Sequence, residues 1–98
     1  MDCNSYSYAP TMLEERNNTM ARYVNDDMEI ELVQDGPRWF QLWAFSYDGS
    51  LDVFEAFYER EPAEQLYNYI CENYTDTPPG PELEAFIAAL PDRHGGTI

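Results

Sequence analysis

The residue types that could carry out covalent or proton-transfer chemistry are few in this chain. The single histidine, His94, precedes Gly95 and Gly96 near the C-terminus, and Cys71 falls within a predicted helix. A general base must be held in position, and a histidine beside two glycines is expected in a solvated tail. Cys71 flanks an apolar stripe and is expected to be a small buried or half-buried side chain. No phosphate-binding glycine loop, CxxC, HExxH or GxSxG motif is present, so the sequence predicts no enzymatic activity.

Carboxylates are numerous enough to raise the question of a metal site. The densest groups are Asp26-Asp27 and the segment from Asp48 to Asp52. A calcium loop needs alternating oxygen ligands around a central glycine, ended by a bidentate glutamate. A hairpin turn explains Asp48-Gly49 fully, and so small a fold leaves little room for the cleft of a glycosidase. We therefore expect no metal and no cofactor.

Negative charge is the dominant chemical feature. The 98 residues include 19 Asp and Glu against five Arg and no Lys, a formal net charge of −14. Residues 1–26 carry −2 of this charge, and residues 27–98 carry −12. Direct binding of nucleic acid or of an anionic membrane is disfavoured, because both require clustered Lys and Arg. A hydrophobic content of 44% and an aromatic content of 15% separate the chain from acidic disordered segments.

The chain is short enough to predict a single small acidic domain over residues 1–98. Within it, residues 1–19 are expected to be a poorly defined N-terminal segment and residues 91–98 a loose C-terminal tail. The first residues show no signal-peptide pattern, which favours a cytoplasmic location, in the host cell if the protein is phage-encoded.

Three or four segments that could position the carboxylates have the pattern of β-strands. The clearest contains Met28, Ile30 and Leu32 alternating with Glu29 and Glu31, the period expected of a half-buried strand. The other candidates are residues 20–24, 38–45 and 51–58. Turn-forming residues separate each of the four segments from the next.

The pairing of strands 38–45 and 51–58 follows from Asp48-Gly49, a strong hairpin signal. As a two-residue loop, this turn places Trp43 opposite Phe54 and Trp39 opposite Tyr58. The loop of the preceding hairpin could contain two or three residues, and the two choices place opposite faces of strand 38–45 beside strand 28–32. If helices cover one face of the sheet, the exposed aromatic residues come either from Trp39, Trp43, Phe54 and Tyr58 or from Phe40 and Phe57.

The last third of the chain changes to a helical period. An apolar stripe at Ala63, Leu66, Tyr67, Ile70 and Tyr74 predicts a helix that begins near Pro62. A second helix is predicted from about Pro81 to Pro91, with Leu83, Phe86, Ile87 and Leu90 on its apolar side. The predicted fold is α+β: a three- or four-stranded antiparallel β-meander followed by two α-helices packed on one face.

The acidic residues on these elements could imitate the phosphates of DNA. Carboxylates two positions apart on a strand lie roughly 6.6–6.8 Å apart on one face, and DNA carries one phosphate per about 3.4 Å of each strand. Glu29 and Glu31 fit such a row, which Asp27 leads and which Glu55 to Glu64 could extend onto the first helix. The residues predicted to bind a partner are Asp27, Glu29, Glu31, Trp39, Trp43, Glu55, Glu59, Glu61, Glu64, Glu72 and Asp76.

In size and composition the chain resembles the small acidic inhibitors of phages and mobile elements, such as anti-CRISPR and antirestriction proteins. This resemblance implies a non-enzymatic inhibitor that binds a basic, nucleic-acid-binding surface of a host defence complex and blocks DNA binding. It involves no shared motif, and no residue role carries over from it. The expected partner is a protein and neither nucleic acid nor membrane, and the inhibitor itself would be a monomer or small homo-oligomer. The alternatives are an immunity protein that plugs a basic nuclease toxin, a halophilic binding domain, or acidity that serves only solubility.

Overall fold

Four strands and then two helices follow one another along the chain. A computed structural model describes residues 18–94. Its elements are β1 (Thr19–Val24), β2 (Met28–Gln34), β3 (Phe40–Ser46), β4 (Asp52–Phe57), α1 (Arg60–Asn73) and α2 (Pro81–Ala89). The strands form one antiparallel sheet in the order β1-β2-β3-β4, which confirms the predicted α+β meander with two helices. Of the predicted N-terminal segment 1–19, only Asn18 and Thr19 lie within the described residues, and Thr19 already begins β1.

The loop between β2 and β3 decides which side chains share a face of the sheet. The backbone N–H of Asp35 donates to the carbonyl of Trp39 at 2.7 Å, which leaves three residues, 36–38, between the two. The register then pairs Ile30 with Ala44 and Leu32 with Leu42. Alternate residues of β3 from Phe40 to Ala44 therefore lie with Ile30 on one face, which we call the inner face, and Trp43 lies on the opposite, outer face.

The hairpin between β3 and β4 has the predicted register but a longer loop. Trp43 pairs with Phe54 as expected, yet the last ladder bond before the turn joins Ser46 N–H to the Leu51 carbonyl. The carboxylate of Asp48 accepts hydrogen bonds from the Ser50 backbone N–H at 2.9 Å and from the hydroxyls of Ser50 and Ser46. These bonds lower the pKa of Asp48. They also close a four-residue loop, 47–50, in place of the two-residue turn.

The hydrophobic core lies between the inner face and the helices. Ile30 and Leu42 from the sheet are 0% exposed, as are Leu66 and Ile70 from α1. Leu83 of α2 belongs to the same buried cluster. The apolar stripe of α1 packs against the inner face, since α1 contacts β2, β3 and β4, and α2 adds Leu83 and Ile87 to the same core. The polar side of α1 therefore lies across the molecule from the outer face.

Residues 92–94 contradict the prediction of a loose tail over 91–98. The backbone N–H of Tyr58 donates to the Asp92 carbonyl, and that of His94 donates to the Ala56 carbonyl, both at 2.8 Å. Arg93 forms an antiparallel bridge with Phe57. Asp92 reverses the chain after α2 with a φ of 62°, a conformation that Asp tolerates better than most residues. The segment therefore adds a short stretch of pairing to the β4 edge.

The connection between the helices is fastened by Tyr74 and Glu82. The Tyr74 hydroxyl donates to the Glu82 carboxylate at 2.8 Å, and the Gly80 backbone N–H donates to the same oxygen at 3.1 Å. Burial of the ring and hydrogen bonds with Tyr69 and Glu82 raise the pKa of Tyr74. The hydrogen bond from Tyr74 lowers the pKa of Glu82, because it stabilises the charged form.

Glu82→Gln is expected to remove a pH-dependent part of the stability. The folded-state pKa of Glu82 lies below its ordinary value of 4.5, so its contribution is complete above that value and is lost as the pH falls through the lower pKa. In urea unfolding, the variant should be less stable than the parent at neutral pH, and the difference should shrink as the pH falls below 4.5. Glu84→Gln, which removes an exposed carboxylate from the same helix, is the matched control. A stability difference between parent and Glu82→Gln that does not change with pH would contradict the lowered pKa of Glu82.

Candidate functional site

The outer face of the sheet is a regular grid of aromatic and acidic side chains. The pairing of the four strands aligns its residues in rows that cross the sheet from β1 to β4. Two of these rows are Arg22–Glu31–Trp43–Phe54 and Val24–Glu29–Phe45–Asp52.

Large aromatic side chains remain exposed on the β3 and β4 side of this grid. Trp43 is 44% exposed, Phe45 39% and Phe54 52%. The Trp43 and Phe54 ring centroids are 4.7 Å apart with an interplanar angle of 58°, so the two rings pack on each other and still face solvent. We call Trp43, Phe45 and Phe54 the aromatic face. Contiguous exposed apolar surface of this kind marks interaction sites in folded proteins.

Carboxylates flank the aromatic face on both neighbouring strands. Glu31 lies beside Trp43, and Phe45 lies between Glu29 and Asp52. Side chains directly opposite each other on adjacent strands have Cβ atoms roughly 4.5–5.5 Å apart. A cation that stacked on Trp43 or Phe45 would therefore lie close to carboxylate oxygens. This combination of exposed rings and adjacent acids is the main chemical feature of the outer face.

Hydrogen bonds hold the two glutamates of β2 in place. Glu29 accepts from the Tyr47 hydroxyl at 2.9 Å and pairs with the Arg22 guanidinium at 3.5 Å. Glu31 accepts from the Thr19 hydroxyl at 2.7 Å. The bond to Glu29 raises the pKa of Tyr47, since loss of the phenolic proton would place two negative charges together. Asp52 is exposed and takes part in none of the ion pairs formed among residues 18–94.

A stack of three rings lies at the end of the sheet nearer the β2–β3 loop. The His94 ring lies 3.7 Å from the Trp39 ring and 3.5 Å from the Tyr58 ring, centroid to centroid. Its Nε2 atom is 3.1 Å from the Arg38 carbonyl oxygen. The expectation of a solvated, poorly held His94 is therefore wrong. Trp39 and Tyr58 nevertheless remain 38% and 41% exposed.

One of the two predicted aromatic sets is exposed and the other is buried. Trp39, Trp43, Phe54 and Tyr58 are exposed, whereas Phe40 and Phe57 are buried. The three-residue β2–β3 loop determines this outcome, because it places Phe40 on the inner face. Sequence reasoning missed Phe45 and Asp52, although the register that paired Trp43 with Phe54 also pairs these two residues.

The remaining predicted site residues lie in other places. Glu59, Glu61 and Glu64 line a cleft of about 900 Å³ with Asp92, and Glu72 is exposed on α1. The two other acids, Asp27 and Asp76, line a separate cavity of about 570 Å³ at the end of the sheet that holds the β3–β4 loop.

The predicted continuation of the Glu29–Glu31 row through Glu55 onto the first helix is wrong. Glu55 pairs with Leu42 of the inner face and bonds to Arg93 at 3.2 Å. The side chains of Glu29 and Glu55 therefore lie on opposite faces of the sheet, and α1 lies on the inner side.

Residues 18–94 contain no cluster of three or more His, Cys, Asp or Glu side chains that could hold a metal ion. Cys71 is 6% exposed within the core. Neither helix in the described part of the chain has both the length and the apolar character needed to cross a membrane.

No family model matches the chain, and neither a curated protein nor a solved structure shows significant similarity to it.

Proposed function

We propose that this protein is a non-enzymatic acidic inhibitor that binds a basic, nucleic-acid-binding protein surface and excludes DNA from it. The single observation that carries the proposal is the uncovered aromatic face flanked by carboxylates. In biological terms we propose an anti-defence protein of the anti-CRISPR type, encoded by a phage or mobile element and acting in the host cytoplasm.

The charge distribution supports a protein partner over a nucleic acid. Residues 18–94 contain sixteen acidic residues and four arginines. Each of these arginines lies within 4 Å of a glutamate: Arg22 with Glu29, Arg38 with Glu59, Arg60 with Glu64 and Arg93 with Glu55. The positive charges are thus engaged internally, and the excess acids create a field that would accelerate encounters with a basic surface.

The aromatic face supplies contact area that a partner can bury, which charge alone does not provide. Long-range attraction raises the association rate, but tight binding also needs buried contact area. Exposed Trp and other aromatic side chains inside a polar rim are typical of binding hot spots, where a few residues carry most of the binding energy. Trp43 and Phe54 have this exposure, and Glu31 belongs to the rim.

Solubility or salt adaptation explains the outer face less well. A net charge of magnitude about 2–8 suffices to keep a small domain soluble, and uncovered aromatic rings oppose solubility. Salt adaptation predicts unfolding at low salt and no tight partner. Neither alternative predicts a tight protein partner, so a binding measurement distinguishes both of them from the proposal.

Binding to the partner should be strongly salt-dependent and competitive with DNA. The immobilised protein would first capture its partner from a nuclease-treated bacterial lysate, and the purified partner would then be titrated. Screening shortens electrostatic reach from about 10 Å at 0.1 M salt to about 3 Å at 1 M, so the affinity should fall at least tenfold over that range. DNA should displace the inhibitor.

An affinity that is unchanged by salt, or simultaneous binding of DNA and inhibitor, would refute the proposal. Capture of a nuclease toxin encoded beside this gene would replace the anti-defence role with an immunity role.

A further inference from the structure

We infer that the outer face binds arginine side chains of the partner. It would recognise their guanidinium groups in preference to the ammonium groups of lysine. The inference rests on the proposed function and specifies its partner chemistry. The proposed binding site consists of Trp43, Phe45 and Phe54 with the carboxylates of Glu29, Glu31 and Asp52.

The space for such a side chain is a groove on the outer side of the β3–β4 hairpin. It measures about 490 Å³, and its lining includes Trp43, Phe45, Phe54, Asp52 and Gly49. The groove joins aromatic surface to a carboxylate that has no ion-pair partner within residues 18–94. Glu29 flanks Phe45 on the other side. A cation entering along the Phe45 ring would therefore have Asp52 on one side and, on the other, Glu29, which already bonds to Arg22 and Tyr47.

Guanidinium fits this arrangement better than ammonium does. It is planar, it is more weakly hydrated, and it stacks on aromatic rings while its N–H groups at the edge bond carboxylates in pairs. An ammonium group is a compact, strongly hydrated charge that gains less from a ring. The outer face offers rings and carboxylates at adjacent positions. An arginine side chain could therefore stack on a ring and bond to a carboxylate at the same time.

Residues 18–94 already contain such an arrangement between their own side chains. The Arg38 guanidinium carbon lies 5.7 Å from the centre of the Tyr58 ring. The same guanidinium bonds to the Glu59 carboxylate at 2.6 Å. A guanidinium held by a ring and a carboxylate together is therefore compatible with the local geometry at this edge of the sheet. The aromatic face presents the same two kinds of group, and no arginine among residues 18–94 pairs with Asp52 there.

A second copy of this chain is a poor occupant of the outer face. Two copies placed face to face would bring Glu29, Glu31 and Asp52 of each against the other's acids. Sixteen acids against four arginines, each arginine already paired with a glutamate, leave nothing in residues 18–94 to neutralise them. Like charges brought together at an interface strongly oppose association. Charge complementarity therefore favours a cationic protein surface.

The test compares nona-arginine with nona-lysine, two peptides of equal length and charge, by titration calorimetry. Nona-arginine should bind about fivefold more tightly or better, which corresponds to one or a few cation–π contacts. Its addition should also shift the NMR signal of the Trp43 indole N–H. Trp43→Ala should abolish the preference, and Asp52→Asn should weaken nona-arginine binding about threefold or more.

Glu84→Gln removes one charge from the helical layer and is the matched control for Asp52→Asn; it should change the affinity less than twofold. Equal binding of the two peptides, or an arginine preference that survives in Trp43→Ala, would overturn the inference. In that case salt-dependent competition between the natural partner and DNA would still support the proposed function. An arginine preference combined with a partner that binds DNA and inhibitor together would refute the function and leave the inference standing.

Discussion

Trp43→Ala is expected to weaken binding to the captured partner about thirtyfold, the loss that corresponds to a hot-spot residue worth about 2 kcal/mol. The indole lies on the outer face, 44% exposed, and its described ring contact is with Phe54. In a complex it would be desolvated at the centre of the contact, with Glu31 beside it at the rim. Calorimetric titration of parent and variant would measure the loss.

The fold should tolerate this substitution. The ring pair with Phe54 is worth about 0.5–1.5 kcal/mol beyond the apolar area that the indole buries, and this area is smaller than for a core side chain because Trp43 is half-exposed. Far-ultraviolet circular dichroism of Trp43→Ala should therefore show a folded protein, with a urea midpoint moderately below that of the parent. Unchanged affinity in a folded Trp43→Ala protein would remove the aromatic face from the binding site.

Leu42→Ala, one position earlier on β3, is expected to have the opposite effect. Leu42 is 0% exposed on the inner face, and truncating a buried leucine costs about 2–5 kcal/mol because transfer energy is lost and a cavity remains. Domains of this size have a total stability of only about 5–15 kcal/mol, so the variant should unfold at a much lower urea concentration.

Leu42→Met is the matched control, because a swap that conserves volume costs less than about 1.5 kcal/mol. Where Leu42→Ala remains folded, its affinity for the partner should be close to that of the parent. If Leu42→Ala were as stable as the parent, or Trp43→Ala were the more destabilised of the two, the assignment of inner and outer faces would be inverted.

The parts of the fold that depend on local patterns were predictable. Alternation along Met28 to Leu32 identified β2, and the spacing of Leu66 and Ile70 identified α1. The hairpin signal at Asp48-Gly49 gave the correct register between β3 and β4. It did not give the loop length, because the Asp48 carboxylate bonds to Ser46 and Ser50 and closes a wider turn.

The parts that depend on distant contacts were not predictable. The stacking of His94 on Trp39 joins residues that are fifty-five positions apart, and nothing near His94 in the sequence indicates it. The pairing of Arg93 with Phe57 joins residues thirty-six positions apart. The face of Glu55 is a different case, because it follows from the register that pairs Trp43 with Phe54 and was therefore predictable. Pairing with Leu42 puts Glu55 on the inner face.

The acidic surface is consequently less uniform than composition indicates. Within residues 18–94, four glutamates are paired with arginines, and the other glutamates of this range are divided between the outer face, the cleft beside Glu59 and the two helices. A mimic of DNA phosphates need not be one continuous row. The outer face is the part in which acids and exposed aromatic rings occur together, and it is therefore the part to which we assign partner binding.

The most direct measurement is a map of the partner's contacts on the isotope-labelled protein by NMR. Addition of the captured partner should shift or broaden the amide signals of Glu29, Glu31, Trp43, Phe45, Asp52 and Phe54. The amides on the exposed sides of α1 and α2, including that of Glu84, should change little. Perturbations confined to the helices, with the signals of β3 and β4 unchanged, would contradict the assignment of partner binding to the outer face.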